Sequence, residues 1–177
     1  VSAIEADCVK AIQGDQEITI PCDTVVLAVG SRKNVPDLDG VTWHCDPNPM
    51  GITEFTFHFG TDQTAEFHYT NAQGAKVLPF GFGKNVFGKF PQLGYATDHA
   101  GVPTTDGSMY DCAASAAWRE ERKLMLKVQI IDRYFGNMLA IFSFREDYAV
   151  VRMTKTAEDF LMEYEGMFNA KLEKNNG

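Results

Sequence analysis

The stretch of sequence that decides the fold runs from Tyr110 to Phe160 and reads YDCAASAAWREERKLMLKVQIIDRYFGNMLAIFSFREDYAVVRMTKTAEDF. Apolar residues recur in it at every second position in three successive segments, which begin at Leu124, Leu139 and Ala149. A period of two places one face of a β-strand in a core and the other face in solvent. Three such segments with short connections predict an antiparallel meander.

The connections between these segments have the composition of turns. The first reads REER at 119–122 and is too charged to bury, and the third reads RED at 145–147. The second reads FGN at 135–137, where Gly136 and Asn137 suit a positive φ. The rest of the chain must therefore extend this sheet or cover it.

Further strands are predicted upstream of this stretch. Two period-two segments form a predicted hairpin around the turn at 60–63, with apolar faces made by Phe55, Phe57 and Phe59 and by Ala65, Phe67 and Tyr69. Residues 75–80 predict a third strand. Glycines then separate the aromatic residues from Phe80 to Phe90, which is typical of one bent strand or of two short strands at a barrel corner. Residues 97–108 are polar and predict a surface loop.

The two ends of the chain have a different character. Residues 7–12 and 17–20 predict a hairpin, and the run TVVLAVG at 24–30 does not alternate, as in a strand buried on both faces. Turn-forming residues are dense at 35–51, so we predict a β appendage with a linker at 1–45 and an antiparallel β domain at 46–177. From Ala157 to Leu172 the apolar period changes to three and four after the potential cap Thr156, which predicts a short helix on the sheet or over a barrel end.

Composition excludes several function classes. The chain has 177 residues, a formal net charge of −8 and a pI near 4.9, which disfavours nucleic acid and anionic membrane surfaces as partners. No apolar run approaches the roughly 18 residues of a membrane helix, and no secretion signal begins at Val1. The four cysteines lack C-x-x-C spacing. We therefore expect free thiols, no structural zinc and a cytoplasmic protein, or a fragment whose targeting segment lies elsewhere.

The segment EITIPCDTVVLAVGSRKNVPDL at 17–38 resembles part of the FAD- and NAD(P)-dependent oxidoreductases. The resemblance covers residues 1–40 and implies a chain that passes a flavin domain, with Gly30 close to the cofactor. No Gly-x-Gly-x-x-Gly loop is present, so this chain cannot build a dinucleotide site alone, and no cofactor is expected.

Residues 48–166 resemble the C-terminal β domain of bacterial β-lactamase-related, penicillin-binding-protein-like serine hydrolases. The runs that carry the resemblance are NPMGITEFTFHF, NAQGAKVLPFGFGKNVFGKFP, CAASAAW, KLMLKVQIIDRYFGNM and KTAEDFLMEY. It implies a mainly β fold, an antiparallel β-barrel or lipocalin-like sheet, that accompanies a hydrolase catalytic domain. No serine of this chain has a lysine at the third position after it, so no catalytic residue is expected here.

Two groups of residues are candidates for binding. Phe82 and Phe87 lie in the glycine-spaced segment that would form the mouth of a ligand-binding barrel. The strand-end residues Asp132, Arg133 and Tyr134 could line a ligand mouth or contact a partner domain, although a satisfied turn is the favoured explanation for them. His58 and His68 share the polar face of the predicted hairpin with Glu54 and Glu66, which could hold a divalent metal. A solvated strand face is the alternative.

These observations leave three hypotheses of function. The first is a non-catalytic accessory domain that packs against, or regulates, a serine hydrolase domain absent from this chain. The second is a lipocalin-like barrel that binds a small apolar ligand in its interior. The third is a remnant of a flavin- and NAD(P)-dependent oxidoreductase. An accessory domain requires an exposed apolar patch, whereas a binder requires a few convergent polar groups inside an apolar barrel.

Overall fold

A computed structural model describes residues 3–4, 8–13, 15–22, 38–93, 109–132, 135–156, 161 and 164–173. The chain divides into two compact units, Val1–Ser31 and Arg32–Gly177. The described residues contain the following strands: β1 (Ala3–Ile4), β2 (Cys8–Gln13), β3 (Gln16–Pro21), β4 (Trp43–Cys45), β5 (Glu54–Phe59), β6 (Thr64–Asn71), β7 (Gly74–Phe82), β8 (Val86–Leu93), β9 (Met109–Glu120), β10 (Lys123–Ile131), β11 (Phe135–Phe144), β12 (Tyr148–Thr156) and β13 (Gly166–Leu172).

The larger unit is a closed β-barrel. Its strands are hydrogen-bonded in the order β10-β11-β12-β13-β4-β5-β6-β7-β9-β8, and a further ladder between β9 and β10 closes the sheet. Nine of these strands make the barrel within the described part of the chain, and β8 is an additional strand that pairs with β9. The sequence prediction of a mainly β fold with an antiparallel barrel is confirmed.

Two parts of the predicted sheet have the expected pairing. In the hairpin β5–β6, Phe57 lies opposite Phe67. In the meander, Leu124 on β10 lies opposite Phe142 on β11, which in turn lies opposite Val151 on β12. Alternating residues of each strand point into the barrel and are buried, because only one face of a barrel strand can reach the core.

The face of β11 is the first correction. Period two alone suggested Leu139 and Ile141 as its buried residues, but both are only half-buried, while Met138, Ala140 and Phe142 are fully buried. Both faces of this strand are apolar, so the alternation could not select one of them. The predicted turn at 135–137 is also wrong, because β11 begins at Phe135 and Gly136 already pairs with Ile130 of β10.

The glycine-spaced aromatic segment forms two strands, as the second of the two predicted arrangements requires. β7 ends at Phe82 and β8 begins at Val86, with Gly83 between them at a φ of 67°. Gly81 pairs in parallel with Ser115 of β9 beside this turn. A Cβ atom at Gly81 would lie 2.6 Å from the carbonyl oxygen of Lys84, so the turn needs a glycine at this position.

The predicted C-terminal helix is the second correction. Residues Gly166–Leu172 form strand β13, which pairs with β12 on one side and with β4 on the other. The apolar residues at 160–168 fit a period of three and four only by coincidence, since β13 needs just Phe168 and Ala170 on its inward face. Residues 157–160 and 162–163, which belong to the predicted helix, lie outside the described residues.

The smaller unit contains the sheet β1-β2-β3. Its hairpin β2–β3 pairs Val9 with Ile20, as the sequence predicts. The predicted buried strand at 24–30 lies outside the described residues. Trp43 and Cys45, which the sequence analysis placed in the linker, form β4 of the barrel. The proposed division at residue 45 itself stays a prediction.

Among the described residues, no helix is long and apolar enough to cross a membrane.

Candidate functional site

The two ends of the barrel follow from strand direction. Neighbouring barrel strands are antiparallel except β7 and β9, so β4, β6, β10 and β12 all finish at one end, together with the additional strand β8. We call this the upper end. The opposite end, where β7 and β11 finish, is the lower end.

An aromatic layer crosses the barrel in its middle and towards its lower end. It consists of Trp43, Phe55, Phe57, Phe67, Phe142 and Phe144. The rings of Phe57 and Phe142 lie 4.9 Å apart, although β5 and β11 belong to opposite walls. Ring pairs at such distances add a specific attraction of about 0.5–1.5 kcal/mol each to the burial of apolar area.

This layer closes the barrel interior. Phe57 and Phe142 both have 0% exposed surface, whereas residues that line a cavity large enough for water would retain some. The indole N–H of Trp43 is buried without a hydrogen-bond partner in the described part of the chain, which agrees with the exclusion of water. The aromatic layer therefore leaves no space for a water molecule or a ligand around Phe57 and Phe142.

A cluster of polar side chains lies inside the upper end. It comprises Tyr69 and Asn71 of β6, Gln92 of β8 and Tyr164, which comes shortly before β13, and we call it the polar cluster. The hydroxyl of Tyr164 donates to Oε1 of Gln92 at 2.7 Å, and Nδ2 of Asn71 donates to the same oxygen at 3.3 Å. The hydroxyls of Tyr69 and Tyr164 are 3.1 Å apart.

The polar cluster is buried in apolar surroundings. Gln92 is 5% exposed. Apart from tyrosine and cysteine, it is the single buried polar or charged side chain among the described residues. Tyr164 also packs its ring against Phe90, 5.5 Å away, on the same strand as Gln92. The cluster therefore joins three separate parts of the chain at one point of the interior.

Three methionines lie among the other buried side chains of the upper end. Met50, Met138 and Met153 are all buried at this end, whereas the aromatic layer contains no methionine. Methionine has three rotatable bonds and a polarisable sulfur, so it fills irregular space and can change shape around another molecule. Small residues of β9 and β11, Cys112, Ala114 and Ala140, line the adjoining wall.

The backbone beside Tyr164 is strained. Leu161 is fully buried and has a φ of 61°, in the left-handed region that a branched, non-glycine residue rarely adopts. Such a conformation costs on the order of 1–3 kcal/mol and persists only where the surroundings enforce it. The surrounding structure therefore holds Leu161, three residues before Tyr164, in a backbone conformation that a leucine rarely adopts.

The residues that the sequence analysis proposed for ligand binding lie apart from one another. Phe82 is at the lower end, where its ring lies 5.6 Å from that of Phe80. Phe87 is on the outside of β8 and is 70% exposed. Asp132 is at the upper end and accepts a hydrogen bond from the backbone N–H of Asp111 at 3.2 Å. Arg133 and Tyr134 lie outside the described residues, so their assignment stays a prediction.

The two histidines proposed for metal binding are adjacent on the outer face of β5 and β6. Their ring centroids are 4.6 Å apart, and Nε2 of His68 lies 2.7 Å from Oε2 of Glu66. Within the described residues, no group of three or more potential ligands has the arrangement of a metal site. Metal binding by His58 and His68 therefore stays a prediction that rests on two imidazoles.

The described cysteines of the barrel are poorly reactive. Burial raises the pKa of Cys112 to about 11 and that of Cys45 to about 12, with nearby carboxylates adding to both shifts. A thiol with such a pKa stays protonated at neutral pH and is a weak nucleophile. Gly30, the proposed cofactor-contacting residue, lies outside the described residues.

The polar cluster was not found from the sequence. Tyr69 was predicted to be buried, but nothing in the pattern showed that its hydroxyl would meet Tyr164, which is 95 positions away. Gln92 follows Pro91 in a segment without clear alternation. A buried position occupied by Gln in an otherwise apolar strand could have served as a signal, since such a residue must find hydrogen-bond partners.

Comparisons with known proteins identify no family for this chain. No family model matches the chain, and no curated protein matches it. Among solved structures, the chain is similar to the fatty-acid-binding protein isolated from Manduca sexta, with 9% sequence identity and a TM-score of 0.47. The match covers 77% of this chain and 99% of that protein. A similarity of this size carries no information about function.

Both resemblances drawn from the sequence are corrected by these comparisons. No family model and no curated protein, of the β-lactamase-related serine hydrolases, the flavin oxidoreductases or any other class, matches the chain. The runs quoted for the hydrolase resemblance include alternating apolar residues and glycine-spaced aromatics, which the strands and turns of a closed antiparallel barrel use whatever its family. The hydrolase domain expected as a partner is equally unsupported.

Proposed function

We propose that this protein binds one small, mainly apolar molecule inside the upper end of its barrel. The observation that carries the proposal is the polar cluster, in which Tyr69, Gln92 and Tyr164 converge within an apolar interior. Ligand sites typically have this composition, with apolar walls and a few polar groups that fix the orientation of the ligand. This corresponds to the second of the three hypotheses raised by the sequence.

Stability alone is a poor explanation for the cluster. A hydrogen bond inside a protein adds only about 0.5–1.5 kcal/mol, because both partners lose hydrogen bonds to water. Apolar residues of similar shape would stabilise the barrel about as well. The cluster also lies in the half of the barrel that contains the methionines, where side chains can rearrange around a ligand at small cost.

Binding at this site requires rearrangement, since the described interior is closely packed. Tyr164 and Met50 are the natural side chains to move, because both lie at the upper end and are joined to the strained backbone or to a loop. We therefore expect the association rate constant to lie below the diffusion limit, as in other complexes that need a conformational change.

Titration with Nile red, a neutral dye whose emission shifts to the blue in apolar surroundings, tests the proposal. The full chain should bind the dye saturably at one site. Met138→Phe fills the upper end and should weaken binding about five-fold or more, whereas the matched variant Met167→Phe, at a position 68% exposed on β13, should not. Circular dichroism would verify the fold of both. Equal binding by the two variants, or none by the wild type, would contradict the proposal.

A further inference from the structure

The polar cluster has a defined direction of hydrogen bonding. A hydroxyl group has one proton, and that of Tyr164 is donated to Oε1 of Gln92. The contact of 3.1 Å between the two tyrosines then requires the hydroxyl of Tyr69 to donate to that of Tyr164. Tyr164 is thus an acceptor towards Tyr69 and a donor towards Gln92.

The Tyr164 hydroxyl occupies a position that demands both abilities at once. A group placed there must accept the proton of Tyr69 and also supply a proton to the oxygen of Gln92. The amide of Gln92 is held in this orientation by Asn71, whose Nδ2 donates to the same oxygen at 3.3 Å. A group without a proton would therefore place its own lone pairs against that oxygen.

We infer that the ligand is electrically neutral and carries one hydrogen-bonding group that both donates and accepts, as an alcohol or an unsubstituted amide does. This rests on the proposed function and deepens it, because that group takes the position of the Tyr164 hydroxyl between Tyr69 and Gln92. The apolar remainder of the ligand lies among the upper-end methionines and stops at the aromatic layer.

A carboxylate is unsuited to the same position. It only accepts hydrogen bonds, so it would face the oxygen of Gln92 without a proton to donate. A buried carboxylate also loses its hydration and needs a cation or several donors in return. The side chains that make up the cluster are all uncharged, and the formal charge of the chain, −8, opposes the approach of an anion.

Competition against Nile red distinguishes these chemistries in the full chain. The competitors share a decyl chain and differ at one end: decanol, decanamide, decyl methyl ether and decanoate at neutral pH. Decanol and decanamide should displace the dye at concentrations about ten-fold or more below those of the ether and of decanoate, because an unpaired buried polar group costs at least that factor. Equal or better displacement by decanoate would overturn the inference.

Two variants test which residues produce the selectivity between the competitors. Gln92→Leu removes the acceptor, so the ratio of the displacing concentrations of decanol and the ether should fall to about two-fold or less. An unchanged advantage would show that the selectivity arises elsewhere. A preference for decanoate that is lost in Arg133→Met would instead assign an anion site to Arg133. Failure of every competitor to displace bound dye would count against the proposed function itself, and so would be distinguishable from an error in ligand class.

Discussion

The lower and upper halves of the barrel are built from different kinds of side chain. The aromatic layer is rigid, since six rings from both walls contact one another and exclude water. The upper end combines buried methionines with the four hydrogen-bonded side chains of the polar cluster and with Leu161, whose backbone is strained. Under the proposed function, the lower half stabilises the barrel and the upper half binds the ligand.

The largest effect should come from the aromatic layer. Phe142 is fully buried and contacts the rings of Phe55, Phe57 and Phe67 across the barrel. Phe142→Ala leaves a cavity that rigid rings cannot fill, so the free energy of unfolding should fall by about 3–5 kcal/mol. Urea unfolding followed by tryptophan fluorescence measures this. Met153→Ala at the upper end should cost less, about 2 kcal/mol, and a cost equal to that of Phe142→Ala would remove the contrast between the halves.

An intermediate effect is expected at the turn where β7 pairs in parallel with β9. The methyl group in Gly81→Ala would lie 2.6 Å from the carbonyl oxygen of Lys84, so the turn must shift and the protein should lose about 1–3 kcal/mol of stability. Gly88→Ala on β8 is the matched control, because no atom lies within 4 Å of its new methyl group. Thermal unfolding of the two variants should differ clearly. Similar melting temperatures would show that the turn adapts freely.

The smallest effect is expected in the polar cluster. Tyr164→Phe keeps the ring against Phe90 but removes the donor to Gln92, which should lower the free energy of unfolding by about 1–2 kcal/mol. Gln92→Leu should cost less in the Tyr164→Phe background than in the wild type, because the hydrogen bond between the two side chains is already lost. A double-mutant cycle by urea unfolding measures the coupling. Strictly additive losses would mean that the two side chains do not interact in solution.

Much of the strand pairing in both units could be predicted from local pattern. The hairpins β2–β3 and β5–β6 and the meander from β10 to β12 join strands that are neighbours in sequence, and alternation with polar turns is enough to define them. Prediction failed where pattern was ambiguous. Both faces of β11 are apolar, and the residues before Phe168 imitate the spacing of a helix although β13 is a strand.

The candidate site could not be predicted in the same way. Its members lie at positions 69, 71, 92 and 164, and the closed barrel brings them together through strands far apart in sequence. The residues proposed from sequence, such as Phe82 and Asp132, were chosen because they looked unusual locally. The structure places these two at opposite ends of the barrel.

The sequence by itself determined the β class of the fold, the hairpins and meander, and much of the aromatic core, because period-two burial is a local property of each strand. The tertiary structure alone decided the closure of the barrel, the strand pairing of Gly166–Leu172 and the meeting of Tyr69, Gln92 and Tyr164. These features depend on which distant strands become neighbours. The packing of the whole core decides which strands become neighbours, and no short segment of the sequence contains that information.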